Sequence, residues 1–213
     1  MKNIQTHATR LKKKPNKEVA QNLIEQMYND NSINSDYKEH LAGLYKYFQP
    51  TVKKKPKDLK EWVMLARCKN SARYYLNEMY YKDGVLYGSD GHRLHMLKLD
   101  VELMEGYYDS KLNHLDMEGT FPDVTRVIPS KSFTGTIKLD DAEIQGSGKD
   151  SKHIFMLDDL KIGFQSRYII EAFLNDKEAT FYMRNKHPLN PLLIEFNDRS
   201  AVIMPTKINN INN

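Results

Sequence analysis

The chain has 213 residues, of which 40% are hydrophobic and 10% aromatic, enough apolar mass for a core and too much for a disordered polymer. No apolar run approaches the roughly 20 residues of a membrane-spanning helix, the first residues lack the apolar segment of a secretory leader, and the single cysteine, Cys68, leaves no internal disulfide. The net charge of +4 conceals an asymmetry: residues 1–57 carry 12 Lys and Arg against 5 Asp and Glu, a net of +7, and the remainder carries 20 against 23, a net of −3. A cytoplasmic location with no membrane partner is therefore expected, for a mildly acidic body joined to a basic arm. Such an arm either meets nucleic acid by neutralising phosphates or serves as a solvated extension.

Within the arm, Asn16 is placed to cap a helix over residues 17–28, with Val19, Leu23, Ile24 and Met27 on one face. A second helix over residues 36–48 presents Tyr37, Leu41, Leu44, Tyr45 and Phe48. The runs Lys12, Lys13, Lys14 and Lys53, Lys54, Lys55, followed by Pro15 and Pro56, flank this pair as linkers. A boundary near Pro56 makes residues 1–57 a basic helical extension and residues 58–208 the body, with a polar tail over residues 209–213.

The body opens with Asp58 as a helix cap and Glu61 three residues on, a capping-box spacing. Leu59, Trp62, Val63, Leu65 and Ala66 form the stripe to be buried, and Lys60, Arg67 and Lys69 point elsewhere. Residues 73–76 read as a helix exit, 78–82 as a strand, Asp83-Gly84 as a hairpin turn and 85–87 as a second strand. A polar corner follows, Ser89-Asp90-Gly91-His92-Arg93-Leu94, in which Gly91 supplies the positive φ of a tight reversal. Residues 95–99 alternate as a further strand. Residues 100–120 show no clean period.

Proline at 122 requires Phe121 to be extended. Short strands are expected at 136–139, 142–145 and 153–157, around a loop over residues 146–148. That loop, with Lys149 after Gly148, fails the phosphate-binding pattern: Glu143 stands where the first glycine belongs and Asp150 where Ser or Thr belongs. A strand at 161–164 leads to a Ser166-capped helix over 167–174, then strands at 179–183, 192–196 and 201–204. Helix followed by three strands thus occurs twice, and two such units make an α+β domain with helices on one layer and antiparallel sheet on the other. No metal-ligand spacing or nucleophile elbow is present, so no cofactor, metal or catalytic residue is expected and the chain is read as a non-enzyme. His92 is then a turn residue satisfied by neighbours, a catalytic base, or the wall of a binding pocket.

Three ordered stretches carry a resemblance. Arg73-Tyr74-Tyr75-Leu76-Asn77 with Ser89-Asp90-Gly91-His92-Arg93-Leu94 is similar to the first half of the middle domain of the bacterial DNA polymerase III beta sliding clamp. Phe121-Pro122-Asp123 with Arg126-Val127-Ile128-Pro129 resembles the linker between its second and third domains. Residues 160–164 through Met204-Pro205-Thr206-Lys207-Ile208 resemble the last half of its third domain. The resemblance covers roughly residues 58–208 and implies a DNA-clamp-like two-layer fold.

It also implies a groove that accepts short hydrophobic peptides of polymerases and clamp loaders, matched here by Ser89, Gly91, His92, Arg93, Leu94, Pro122, Val127, Val202, Met204 and Pro205. In that arrangement the apolar residues form walls, Met204 adapts to different side chains, and His92 and Arg93 orient the peptide's polar end. Helices of this kind face DNA in the family, which makes Lys60, Arg67 and Lys69, together with Lys12, Lys13 and Lys14 of the arm, candidate contacts to double-stranded DNA. The sequence departs in two places: the interval between the Gly91-His92 corner and Phe121, which holds a complete half-domain in the family, is shortened, and Thr206-Lys207 stands where the family has methionine and arginine. Two readings follow. One is a compressed processivity clamp of phage or mobile-element origin, acting in a host cytoplasm and closing a ring as a homo-oligomer. The other is an adaptor or decoy that keeps the groove and forms no ring.

Overall fold

The computed structural model describes Pro56 and residues 58–69 and 72–208. The helices expected at 17–28 and 36–48, both lysine runs and the tail 209–213 lie outside the described residues. Backbone contacts divide the chain into two units, residues 1–51 with 145–151, and residues 52–144 with 152–213. Of the first, the described part is a short turn in which the Ser151 hydroxyl and amide close on the Gly148 carbonyl.

The second unit begins with helix α1, Leu59–Leu65, capped as its sequence predicts: the Asp58 carboxylate accepts the Glu61 amide at 2.8 Å. A single 3-10 turn, Tyr74–Leu76, then leads into strands β1 (Met79–Lys82), β2 (Val85–Ser89) and β3 (Arg93–Lys98). Residues 100–120 form a small hairpin of β4 (Gly106–Tyr108) and β5 (His114–Leu115). After it come a 3-10 turn at Val124–Arg126, then β6 (Phe133–Lys138), β7 (Glu143–Gln145), β8 (Lys152–Leu157) and β9 (Leu160–Gln165). Helix α2, Ser166–Phe173, precedes β10 (Glu178–Met183), β11 (Leu192–Glu195) and β12 (Arg199–Ile203).

Ser166 does not cap α2. Its hydroxyl is drawn to Nδ1 of His153 at 2.8 Å, and the residue at the cap position, Gln165, makes no side-chain capping bond to the helix.

Nine strands form one antiparallel sheet in the order β5-β4-β1-β2-β3-β12-β11-β10-β6, and β7-β8-β9 form a second. The two helix-and-three-strand units join at β3 and β12, where Leu94 pairs with Val202 and His95 with Ala201. Strand alternation sorts the side chains. Arg93, His95 and Leu97 turn toward the helices, where Trp62, Val63, Phe164, Ile169 and Phe173 fill a core shared with Leu86, Ile194 and Ile203. Leu94, Met96, Leu193 and Val202 turn to the opposite face. Gly88 lies under α1 so closely that a β-carbon there would collide with the Val63 carbonyl.

Strands β5 and β6 are neighbours in sequence yet lie at opposite edges of the large sheet. Eight strand spacings are roughly 38 Å, and the connecting residues 116–132 reach roughly 56 Å if fully extended. This segment therefore has to traverse the sheet as a strap. Val124 and Ile128 pack on the Leu94, Met96, Leu193 and Val202 cluster, which puts the strap on the face away from the helices.

Candidate functional site

The strap and the β2–β3 corner enclose a cavity of about 240 Å³ on that face. The corner is built from local hydrogen bonds. Asp90 Oδ1 accepts the amides of His92 (2.9 Å) and Arg93 (3.1 Å), while the Ser89 hydroxyl accepts the Gly91 amide and donates to the Arg93 carbonyl at 2.8 Å. Gly91 sits at φ +86°, and a side chain there would also press on the Arg73 guanidinium. Past the end of β12, the Met204 amide donates to the His92 carbonyl at 2.9 Å and ties the corner to the next strand.

The other wall is the strap. Phe121 is buried among Leu76 and Tyr107, and its ring stacks on Tyr80 with centroids 4.9 Å apart. This anchors Pro122 beside the cavity. Asp123 caps the following turn by accepting the Thr125 amide at 3.1 Å. Val127 is left 40% exposed at one lip and Met204 38% exposed at the other, while Leu94 and Val202 form the buried floor. The walls are thus apolar, and Arg73, Ser89, His92 and Asp123 place polar groups around them. A concave apolar site with a few fixed polar groups is what a short peptide or small apolar ligand needs.

Nine of the ten residues expected at a peptide groove line this cavity: Ser89, Gly91, His92, Arg93, Leu94, Pro122, Val127, Val202 and Met204. Pro205 does not. Sequence reasoning left out Arg73, Tyr75, Leu76, Phe121, Asp123 and Val124, although Arg73, Tyr75, Leu76, Phe121 and Asp123 lie inside the very motifs that carry the resemblance.

Arg93 requires a correction. It is among the residues lining the cavity, but its side chain is 1% exposed and turned to the helix layer, where it is paired with Asp90 and Glu171, so the guanidinium is not placed to orient a peptide. Alternation along β3, with Leu94 and Met96 on the cavity face, was the available signal.

Of the described candidate DNA contacts, Arg67 and Lys60 lie beside carboxylates. Arg67 donates to the Asn77 carbonyl at 2.6 Å and to Glu78 at 3.0 Å, and Lys60 lies 3.9 Å from Asp58. Lys69 is exposed. Lys12, Lys13 and Lys14 lie outside the described residues.

Two histidines are buried in the body. His95 stacks on Trp62 at 4.0 Å, with Nδ1 at 2.9 Å from the Trp62 carbonyl, and burial, helped by the Arg93 charge, holds its pKa well below the usual histidine range. His153, paired with Ser166, is lowered by burial to about 4. Neither faces the cavity. Among the described residues no cluster of His, Cys, Asp or Glu could hold a metal ion, and no helix is long and apolar enough to cross a membrane.

The fold is that of the bacterial DNA polymerase III beta sliding clamp. Over 70% of its length the chain superposes on 63% of the DnaN sliding clamp of Bartonella birtlesii, solved bound to griselimycin, with a TM-score of 0.52 and 20% identity. Over 70% it superposes on 63% of the DNA polymerase sliding clamp of Pseudomonas aeruginosa, with a TM-score of 0.51 and 18% identity. Over 75% it superposes on 67% of the DNA polymerase III beta chain of Streptococcus pneumoniae, with a TM-score of 0.51 and 13% identity. The chain thus spans less than two thirds of the first two clamps. Neither a protein-family model nor a curated relative matches it by sequence.

Proposed function

We propose that this protein is a sliding-clamp-like factor of DNA replication that captures partner proteins by a short hydrophobic peptide bound between the strap and the β2–β3 corner. One observation carries the reading: residues from three separate stretches, around 89–94, 121–127 and 202–204, meet at one apolar cavity. Leu94, Pro122, Val127, Val202 and Met204 would bury leucine- or phenylalanine-like side chains, and His92 would hydrogen-bond the peptide backbone at the rim. The partners are a DNA polymerase and clamp-loader-type proteins. Double-stranded DNA would be held through backbone charge with no reading of bases and no chemical step. Residues 58–208 are the clamp-like body in this proposal, and residues 1–57 are a basic extension.

A second reading is favoured by the charge distribution. The body from residue 58 onward is net negative by 3, and Arg67, one of the three cations at the α1 end, is occupied by Glu78. An adaptor or decoy that keeps the groove and forms no closed ring fits this balance, with any DNA contact left to the arm.

His92 and Met204 both sit at the rim and outside the buried core, so truncating them spares the fold. In titration calorimetry, the wild-type chain is expected to bind griselimycin and a leucine- and phenylalanine-containing hexapeptide, and His92→Ala with Met204→Ala to lose both. Equal affinity in the double variant would remove the groove assignment. Light scattering then separates the two readings: a closed oligomer that retains circular DNA supports the ring, and a monomer or simple dimer that still binds peptide supports the adaptor.

A further inference from the structure

We propose that Arg93 and Glu171 are positioning residues for the groove, forming a buried ionic relay through which helix α2, on the far side of the sheet, sets the order of the corner at Asp90–His92. This deepens the groove reading above and rests on it for its functional meaning, though the relay itself is a property of the unliganded chain.

The Arg93 guanidinium is spent on the helix side. Nε donates to Asp90 Oδ2 at 3.1 Å, Nη1 donates to Glu171 Oε2, and Nη2 donates to the Leu65 carbonyl at the end of α1. Its face lies 4.6 Å from the centroid of the Tyr168 ring. Asp90 is the joint between this charge and the groove. While Oδ2 holds the guanidinium, Oδ1 accepts the amides of His92 and Arg93, and the His92 carbonyl holds the Met204 amide. The guanidinium and Glu171 at the inner end of this chain of contacts are both 1% exposed, so water cannot replace either partner, while the outer end, at His92 and Met204, reaches the solvent-exposed rim. A buried charge without its partner is costly, so such a relay has few permitted geometries.

Glu171 closes the relay at the other end. Its side chain is 1% exposed, 78 residues from Arg93 in sequence, and its second oxygen accepts Nε of Arg167 at 2.8 Å. Its main-chain carbonyl accepts the indole N–H of Trp62 at 2.8 Å. A displacement of α2 therefore moves the counter-ion of Arg93 and the partner of Trp62 together. Trp62, the one tryptophan, does not line the cavity, which makes it a reporter of the groove from the opposite face.

The test uses the full-length chain without ligand, read by amide hydrogen exchange. Glu171→Gln keeps the shape and removes the charge. Exchange at the His92 and Arg93 amides is expected to rise about tenfold, as one charge-assisted contact behind the corner weakens, while the Phe181 and Ile194 amides of the β10–β11 pair stay unchanged. Arg93→Lys retains the buried charge but cannot span Asp90, Glu171 and Leu65 together, so it is expected to loosen the same two amides and stands in if Glu171→Gln does not fold. Unchanged exchange at the corner, or equal acceleration in every strand, overturns the relay. In the wild type, a bound leucine- and phenylalanine-containing hexapeptide is expected to shift Trp62 fluorescence, and Glu171→Gln to weaken peptide affinity about tenfold and abolish the shift. A corner that loosens as expected in a chain that binds no peptide supports the relay and overturns the peptide reading instead.

Discussion

The two helix-and-three-strand units each begin their last strand with a buried arginine, and the two arginines do corresponding work with different partners. Arg93 opens β3 and donates to Leu65, the last residue of α1; Arg199 opens β12 and donates to Phe173, the last residue of α2, at 3.0 Å. A cation at the end of a helix satisfies carbonyls that lack intrahelical donors and complements the helix dipole. Each also crosses to the other unit, Arg93 to Glu171 of α2 and Arg199 over the ring of Trp62 in α1 at 5.2 Å. The carboxylates differ. Glu171 is sealed from water, whereas Asp176 and Asp198, the partners of Arg199, are about half exposed. The unit that forms the groove corner is thus held by a desolvated ion pair, and its counterpart by a hydrated one.

Breaking the desolvated pair should have the largest effect. Arg93→Met strands Glu171 in the core with only Arg167 beside it, and a loss of about 3–5 kcal/mol in urea unfolding is expected. The double variant Arg93→Met with Glu171→Leu should recover most of that loss, because two apolar groups leave no buried charge behind. A double variant no more stable than the single one would mean that the pair is intrinsically stabilising, and the comparison between the units would need another basis.

Acid should act next, on His95 in the first unit and on His153, which sits on β8 and meets the start of α2 through Ser166. The folded-state pKa of His153 is about 4 against an ordinary 6.5, and that of His95 is lowered as well. Between those values the unfolded chain binds a proton that the folded chain refuses. The neutral histidine's contribution is therefore complete above pH 6.5 and is lost as pH falls toward 4, on the order of 2–3 kcal/mol for His153. Urea midpoints at pH 7.5, 5.5 and 4.5 check this. His153→Phe should flatten part of the slope, and an unchanged slope would place the acid sensitivity on His95 and the first unit alone.

The legible parts of the fold are those with local causes. Asp58 caps α1 because its carboxylate and the Glu61 amide are one helical turn apart, and the β1–β2 hairpin follows from Asp83-Gly84, with Asp83 at φ 49° and Gly84 at φ 80°. The cavity's lining was legible through the three motifs that carry the resemblance. Its construction was not, since the strap follows from the placement of β5 and β6 at opposite sheet edges, which no local pattern encodes. Ser166 was misread because its competitor for the hydroxyl, His153, lies on another strand. Arg93 was misread because a run of six mostly polar residues suggests exposure, while the strand's alternation sends this one inward. The β4–β5 hairpin has only three and two residues in its strands and is organised by Asp109, whose carboxylate collects the amides of Lys111 and Asn113. That contact leaves no periodicity to read.

The smallest effect, and the sharpest test of the comparison, belongs to Arg199. Arg199→Met removes the bond to the Phe173 carbonyl and the contacts with the Trp62 and Phe196 rings, but Asp176 and Asp198 turn to water when their partner leaves. A loss of about 1–2 kcal/mol is expected, from one hydrogen bond and a partly desolvated cation–π contact. The ratio between the two arginine variants matters more than either value. If solvent access to the carboxylate decides the cost, Arg93→Met exceeds Arg199→Met by a factor of two or more, and raised salt narrows neither loss by much because both guanidinium groups are buried. Equal losses would mean that the helix-end carbonyls, which both arginines share, dominate in both units. The buried pair would then have no special hold on the groove corner.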